Sequence, residues 1–170
     1  MLDFTFHNAT KIIFGKDTEQ HVGTEISRFG KRVLLHYGGG SIKKTGLYDR
    51  VVKSLREAEV EIFELGGVMP NPRLSLVRDG IELCRKKNVD AILAVGVGSV
   101  IDSAKAIGIG VPYGGDVWDF YSTGKKVEKM LPLGVVLTIP AAGSESSGGS
   151  VITNEDGWYK RAANSVHMRA

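Results

Sequence analysis

Ala91-Ile92-Leu93-Ala94-Val95-Gly96-Val97-Gly98-Ser99-Val100-Ile101-Asp102-Ser103-Ala104-Lys105 begins as an unbroken apolar run and passes through two closely spaced glycines into a helical pattern. A run this short and this apolar reads as a strand buried on both faces, the mark of a parallel sheet covered by helices. Glycine at 96 and 98 removes the Cβ atoms that would hold a pyrophosphate away from the backbone. Ser99 stands where a helix cap is expected, and Asp102 follows three residues on, as in a capping box. The same design occurs earlier, where Val33-Leu34-Leu35-His36-Tyr37 leads into Gly38-Gly39-Gly40-Ser41. One such turn is also what a plain tight strand–helix junction needs. Two in one short chain point to a dinucleotide laid across a parallel sheet.

The rest of the chain fits that frame. Alternation over 4–14 predicts an N-terminal hairpin or edge strand. Val22, Ile26 and Phe29 mark a helix over 18–29 that Gly30 stops. Leu47, Val51, Val52, Leu55 and Ala58 form the stripe of the next helix, and 60–65 reads as a strand. Pro70-Asn71-Pro72 punctuates before a helix over 74–87. A strand over 89–95, a helix over 100–109, a loop with a short helix over 111–129 and strands over 133–139 and 150–153 complete the pattern. Strands alternating with helices predict an α/β fold: a twisted parallel sheet flanked by helices, Rossmann-like, with the hairpin at its N-terminus. The 170 residues make one domain, with 141–170 expected to pack loosely. The chain ends without a closing helix or cap, as though cut where another element should begin.

Composition narrows the function. A net charge of +3, spread along the chain without a basic run, gives nucleic-acid binding little support. No apolar run reaches the roughly 20 residues of a membrane span, and the N-terminus lacks the regions of a signal peptide. Cys84 is the single cysteine and falls on the same helical face as Val77 and Ile81, which reads as a buried thiol in a cytoplasmic chain. His7, His21, His36 and His167 are far apart, so no metal site is expected from them.

The dinucleotide reading departs from the ordinary fingerprint. Ile101 stands where the third glycine of G-x-G-x-x-G belongs, and Asp116 and Asp119, near the right count for the acidic partner, fall in a loop or short helix. If the adenosine end lies over the first turn and the pyrophosphate over the second, residues 38–44 meet the ribose. No acid stands there for a 2′-hydroxyl, whereas Ser41, Lys43 and Lys44 suit a 2′-phosphate, which favours NADP(H) over NAD(H). The small and hydroxyl-bearing run from Thr138 to Ser150 follows an apolar strand and can line a flat ligand closely.

Taken in order, Lys11–Gly15, Tyr37–Ser41, Pro70-Asn71-Pro72, Gly96–Lys105, Gly115–Asp119 and Thr138–Glu145 resemble the iron-containing (group III) alcohol dehydrogenases. The likeness is strongest to the butanol dehydrogenase and aldehyde reductase branch. It implies an N-terminal nucleotide domain here, with the helical C-terminal domain absent, and hydride transfer between a nicotinamide and a small alcohol or aldehyde. Gly38, Gly39, Gly40 and Ser41 would meet the adenosine ribose, and Asn71 would lie near the adenosine. Gly96, Gly98, Ser99 and Asp102 would hold the pyrophosphate and neighbouring ribose. Thr138, Ser144, Ser147 and Lys160 would line the remainder, with Lys160 near the nicotinamide ribose. Ala142 replaces the threonine common in the family, and Trp158-Tyr159 is bulky ahead of Lys160. The family's divalent metal, Fe²⁺ or Zn²⁺, is held by one aspartate and three histidines of the other domain, so no catalytic or metal-ligating residue is expected in this chain. Its partners would be the cofactor, the small substrate of the full-length enzyme and further copies in a homo-oligomer. The competing reading is a free-standing, non-catalytic nucleotide-binding or assembly module.

Overall fold

The computed structural model describes Asp3 and residues 8–170. A 3₁₀ turn, Thr18–His21, leads into α1 (Val22–Ile26), and then come β1 (Arg32–Gly38), α2 (Ser41–Lys44), α3 (Leu47–Glu57) and β2 (Glu61–Val68). The central units are α4 (Leu74–Lys87), β3 (Ala91–Gly96) and α5 (Gly98–Gly110). The chain continues through α6 (Asp119–Ser122), β4 (Leu133–Leu137), β5 (Gly149–Asn154) and β6 (Tyr159–Asn164), and a last 3₁₀ turn spans Val166–Met168.

Four strands form one sheet in the order β2-β1-β3-β4, every pair parallel. The two central strands are buried on both faces, as their apolar runs require. Alternation then sorts the core. Val33, Leu35, Tyr37, Leu93 and Val95 face α1, α2 and α3 through Ile26, Ile42, Val51 and Leu55. Leu34, Ile92 and Ala94 face α4 and α5 through Leu74, Val77, Ile81, Ile101 and Ile107. α5 is apolar nearly all round and is accordingly buried nearly all round. It lies tight against α4: a Cβ on Gly80 would come within 2.5 Å of Ile107 Cδ1.

His36, at the centre of β1, is fully buried. Its Nδ1 donates to the Leu65 carbonyl and its Nε2 accepts from the Ser103 hydroxyl, both at 2.8 Å, joining β1 to β2 and α5. Burial holds the imidazole neutral, pushing its pKa down to about 4.

Cys84 is buried on α4, and burial pushes its thiol up to about 12. The native chain is therefore expected to resist a thiol-specific disulfide reagent at neutral pH and to take it up only after unfolding. Labelling of the native chain at the unfolded rate would show otherwise.

Some expectations need correction. The strand over 4–14 falls partly outside the described residues (4–7, His7 among them). Residues 8–14 pair with no strand, and Ile12 and Phe14 stand 69% and 97% exposed. Ser99 caps nothing. α5 begins at Gly98, so Val97 takes the cap position and Ser99 lies inside the first turn. Finally, β5 does not stand alone. It pairs antiparallel with β6, a ribbon whose Ile152 and Ala163 pack into the core beside α5.

Candidate nucleotide site

In a parallel sheet every strand delivers its following loop to the same edge, and ligands settle where neighbouring strands send their helices to opposite faces. In the order β2-β1-β3-β4 that point lies between β1 and β3. Gly38–Ser41 leaves β1 there, Gly96–Ser99 leaves β3, Asn71 follows β2, and Thr138 follows β4. The two glycine turns are neighbours: a Cβ on Gly38 would sit 3.8 Å from Val100 Cγ2 in the first turn of α5.

At the start of α5 the Val100 and Ile101 amides already donate to the Val97 carbonyl, and the amides ahead of them put the positive end of the helix dipole at this edge. No atom lies closer than 3.5 Å to where a Cβ on Gly98 would be, and those at that distance are Ala142 Cβ and Ser144 Oγ. The small-residue loop thus faces the glycine turn across a narrow gap. Gly39 and Gly40 have open space beside them, and Gly40, with φ 116°, adopts a backbone that side chains resist as it starts α2. Thr138 donates its amide to the Gly96 carbonyl at 3.1 Å, tying the β4 loop to the β3 loop.

The β5–β6 ribbon closes one side. Thr153 donates its amide to the Pro72 carbonyl at 2.9 Å, and Lys160 donates to Asn71 Oδ1 at 2.8 Å. Asn71 and Lys160, far apart in sequence, are therefore one contact. Asp102 does not box the helix start. Its carboxylate accepts from the Val151 amide at 3.1 Å, and its carbonyl accepts from the Ser150 hydroxyl at 2.8 Å. Burial raises the Asp102 pKa, with the Val151 amide and Ser144 hydroxyl pulling the other way. Tyr121 donates to Ser150 at 2.8 Å and extends this chain into α6.

Lys43 is held on an aromatic ledge. Its ammonium lies 4.8 Å from the Tyr48 ring centre and 5.1 Å from that of Tyr37. Both phenols donate to Glu64, at 2.7 and 2.9 Å, and that bond pushes Tyr48 up to about 12. Ser41 and Lys44 stand exposed on α2.

One participant escaped the sequence reading. Tyr121 looks like an ordinary core residue until the fold brings it, through Ser150, to Asp102. Lys105 did leave a signal, a lysine in a largely apolar helix whose one other charged residue is Asp102, and it turns out to be fully buried.

With this geometry in view, the comparisons with known proteins are direct. The profile of the family described as iron-containing alcohol dehydrogenase matches residues 9–170. A Bacillus subtilis protein named probable NADH-dependent butanol dehydrogenase 2 is 54% identical over 154 residues, covering 91% of this chain and 40% of its own length. The NADPH-dependent aldehyde reductase YqhD of Escherichia coli is 38% identical over 172 residues, covering 99% of this chain and 44% of its own. Among solved structures, the NADH-dependent butanol dehydrogenase A of Thermotoga maritima superposes with a TM-score of 0.94 at 48% identity, over 98% of this chain and 42% of that one. The chain thus spans about two fifths of the length of these relatives.

Proposed function

The chain belongs to the iron-containing alcohol dehydrogenase family, and on that premise we propose that it is the dinucleotide-holding part of an NAD(P)-dependent alcohol dehydrogenase or aldehyde reductase. The carrying observation is the pair of glycine turns at the sheet's switch point, with open space beside Gly39 and Gly40 and with Gly98 opening a buried 13-residue helix across from Ala142 and Ser144. When bound, the dinucleotide supplies the hydride acceptor or donor for a small alcohol or aldehyde. The chain's part is to hold it. The first-turn N–H groups and dipole of α5 take the pyrophosphate, with no Cβ at 98 in the way. Gly38–Ser41 meets the adenosine ribose with Asn71 near the adenosine, and Lys160, expected at the nicotinamide ribose, is read instead at the Asn71 end because it bonds Asn71 at 2.8 Å. Thr138, Ser144 and Ser147 line the other wall, and Asp102 fixes the ribbon behind it.

The family's name implies iron. Among the described residues no group of three or more His, Cys, Asp or Glu side chains could hold a metal ion, so no step is routed through one. In our reading this chain alone binds the dinucleotide without turning over alcohol, in a cytoplasmic setting. Exposed Ile12 and Phe14 support association between copies.

The aromatic ledge under Lys43 favours a 2′-phosphate, because it orients an ammonium beside the first glycine turn and no acid lies between 38 and 44. The relatives' names divide between NADH and NADPH. Calorimetric titration of the chain is expected to give tighter binding of NADPH than of NADH by about fivefold, roughly 1 kcal/mol. Heat with neither would overturn the nucleotide reading, and tighter NADH would reverse the preference alone.

A further inference from the structure

α5 is mostly apolar and carries its two charged residues, Asp102 and Lys105, on the face that Gly98 opens. Gly98, Asp102 and Lys105 stand at positions i, i+4 and i+7, which one helix face shares over about 10 Å. Long side chains on a helix lean toward its N-terminus, so Lys105 leans from two turns along α5 toward the glycine turn. There it meets the loop that faces Gly98. Its ammonium donates to the carbonyls of Ser144, Ser147 and Gly149 at 2.6, 2.7 and 2.9 Å. An ammonium has three hydrogens, and three carbonyls from six consecutive residues consume them all.

The two sides of this loop therefore do different things. Its carbonyls turn inward to a fully buried cation, while the Ser144 hydroxyl and Ala142 methyl turn toward the space above Gly98. Asp102, between the two, accepts from the Val151 amide and fixes the strand that follows. The run 141–149 contains three glycines and three serines and has no apolar side chain larger than alanine to anchor it. Its backbone bonds are a turn in which the Ser146 and Ser147 amides donate to the Gly143 carbonyl, and a tie from the Ser165 amide to the Gly148 carbonyl; only the cation gathers the carbonyls of 144, 147 and 149 to one point.

We infer that Lys105 is a positioning residue for the dinucleotide: its buried ammonium shapes the 144–149 loop into the wall that closes on the glycine turn. The inference rests on the reading that Gly98 and Ser144 face a nucleotide. Lys105 touches no ligand itself and acts through the loop carbonyls.

The titratable groups around it are Asp102 on the same helix, Glu145 on the loop, Tyr121 from α6 and Lys160 from β6, which acts on Asp102. Burial pulls the Lys105 pKa down to about 8, while Asp102 and Glu145 favour the charged form. A neutral amine has two hydrogens for three carbonyls. An anionic ligand above the loop also favours the ammonium, so affinity is full below about pH 8 and falls as pH rises through it.

The test uses the chain with NADPH and NADH as probes, reading both affinity and amide exchange of residues 144–149. Lys105→Met, which keeps the volume, is expected to lose at least about tenfold in affinity and the loop's protection, with protection of β1 and β3 retained. Lys105→Arg, which keeps a cation, is expected to recover part of both and to lose the transition near pH 8. The unsubstituted chain is expected to bind more weakly at pH 9.5 than at pH 7, a readout that needs no variant to fold. No binding by the unsubstituted chain would sink the nucleotide reading. Unchanged loop protection in Lys105→Met, or affinity flat across pH 8 in the unsubstituted chain, would sink the role of Lys105.

Discussion

Gly98→Asp is expected to leave the chain folded and to weaken dinucleotide binding at least about 100-fold, roughly 3 kcal/mol. The two effects part company because of what surrounds residue 98. A Cβ there meets Ala142 Cβ and Ser144 Oγ at 3.5 Å, ordinary contact distance, so the Cβ itself displaces nothing in the unliganded fold. It is also the first residue of α5, where an aspartate complements the helix dipole and adds a few tenths of a kcal/mol. Stability should hold or rise. Binding should collapse, because the carboxylate occupies the volume and the charge environment meant for a pyrophosphate. Gly98→Ala adds only volume and is expected to lose about tenfold. Gly96 cannot make the same separation: a Cβ there would stand 2.7 Å from Val100 Cγ2, so the fold itself would have to shift. Calorimetry and thermal melts on the same samples decide the matter. An aspartate variant that binds like the unsubstituted chain would refute phosphate binding at this helix.

The contrast between Gly98 and Lys105 shows what a sequence of this kind reveals. The four sheet strands and the long helices were legible because each is a local pattern: apolar runs of strand length, helical stripes, glycine and proline at the joints. The candidate loops were legible for the same reason, since a parallel sheet sends every post-strand loop to one edge without any knowledge of tertiary contacts. What stayed hidden depends on partners distant in sequence. Lys105 acquires meaning from carbonyls 39 to 44 residues away. Asn71 and Lys160 meet across 89 residues. Ser99 misled because the helix starts two residues earlier than a serine cap there would require. β6, reading Tyr-Lys-Arg-Ala-Ala-Asn, lacks alternation because nearly all of it is exposed, and only pairing with β5 makes it a strand. The fold is thus written locally and the site only in part, since its walls are set by buried polar groups that the fold alone brings together.

His36 gives the second large effect, on stability and pH. The sequence places it inside a buried strand, and the structure shows why it is tolerated: both ring nitrogens are paired, to the Leu65 carbonyl and the Ser103 hydroxyl. A neutral imidazole satisfies both, one nitrogen donating and the other accepting, whereas an imidazolium would turn the accepting nitrogen into a donor and place a charge in a fully buried site. Burial accordingly holds its pKa near 4, against 6.5 in the unfolded chain. Between those values the unfolded chain binds the proton and the native chain does not, so stability rises with pH across that window. The contribution is fully present above pH 6.5 and is lost as pH falls through 4, amounting to about 3 kcal/mol at the limit. Glu19, Glu25 and Glu155 have pKa values lowered from 4.5, so their contributions are lost at more acid pH. Asp102, whose pKa burial raises, acts in the opposite direction as pH falls, so comparison with a variant that lacks the imidazole isolates the histidine. His36→Gln cannot titrate and keeps one of the two bonds, and it is expected to cost about 2 kcal/mol at pH 7. Urea unfolding of both proteins from pH 6.5 to 4.5 should show the unsubstituted chain falling steeply, the variant nearly level, and the two curves converging on acidification. Parallel losses in the two proteins would mean that the acid sensitivity of this fold lies elsewhere.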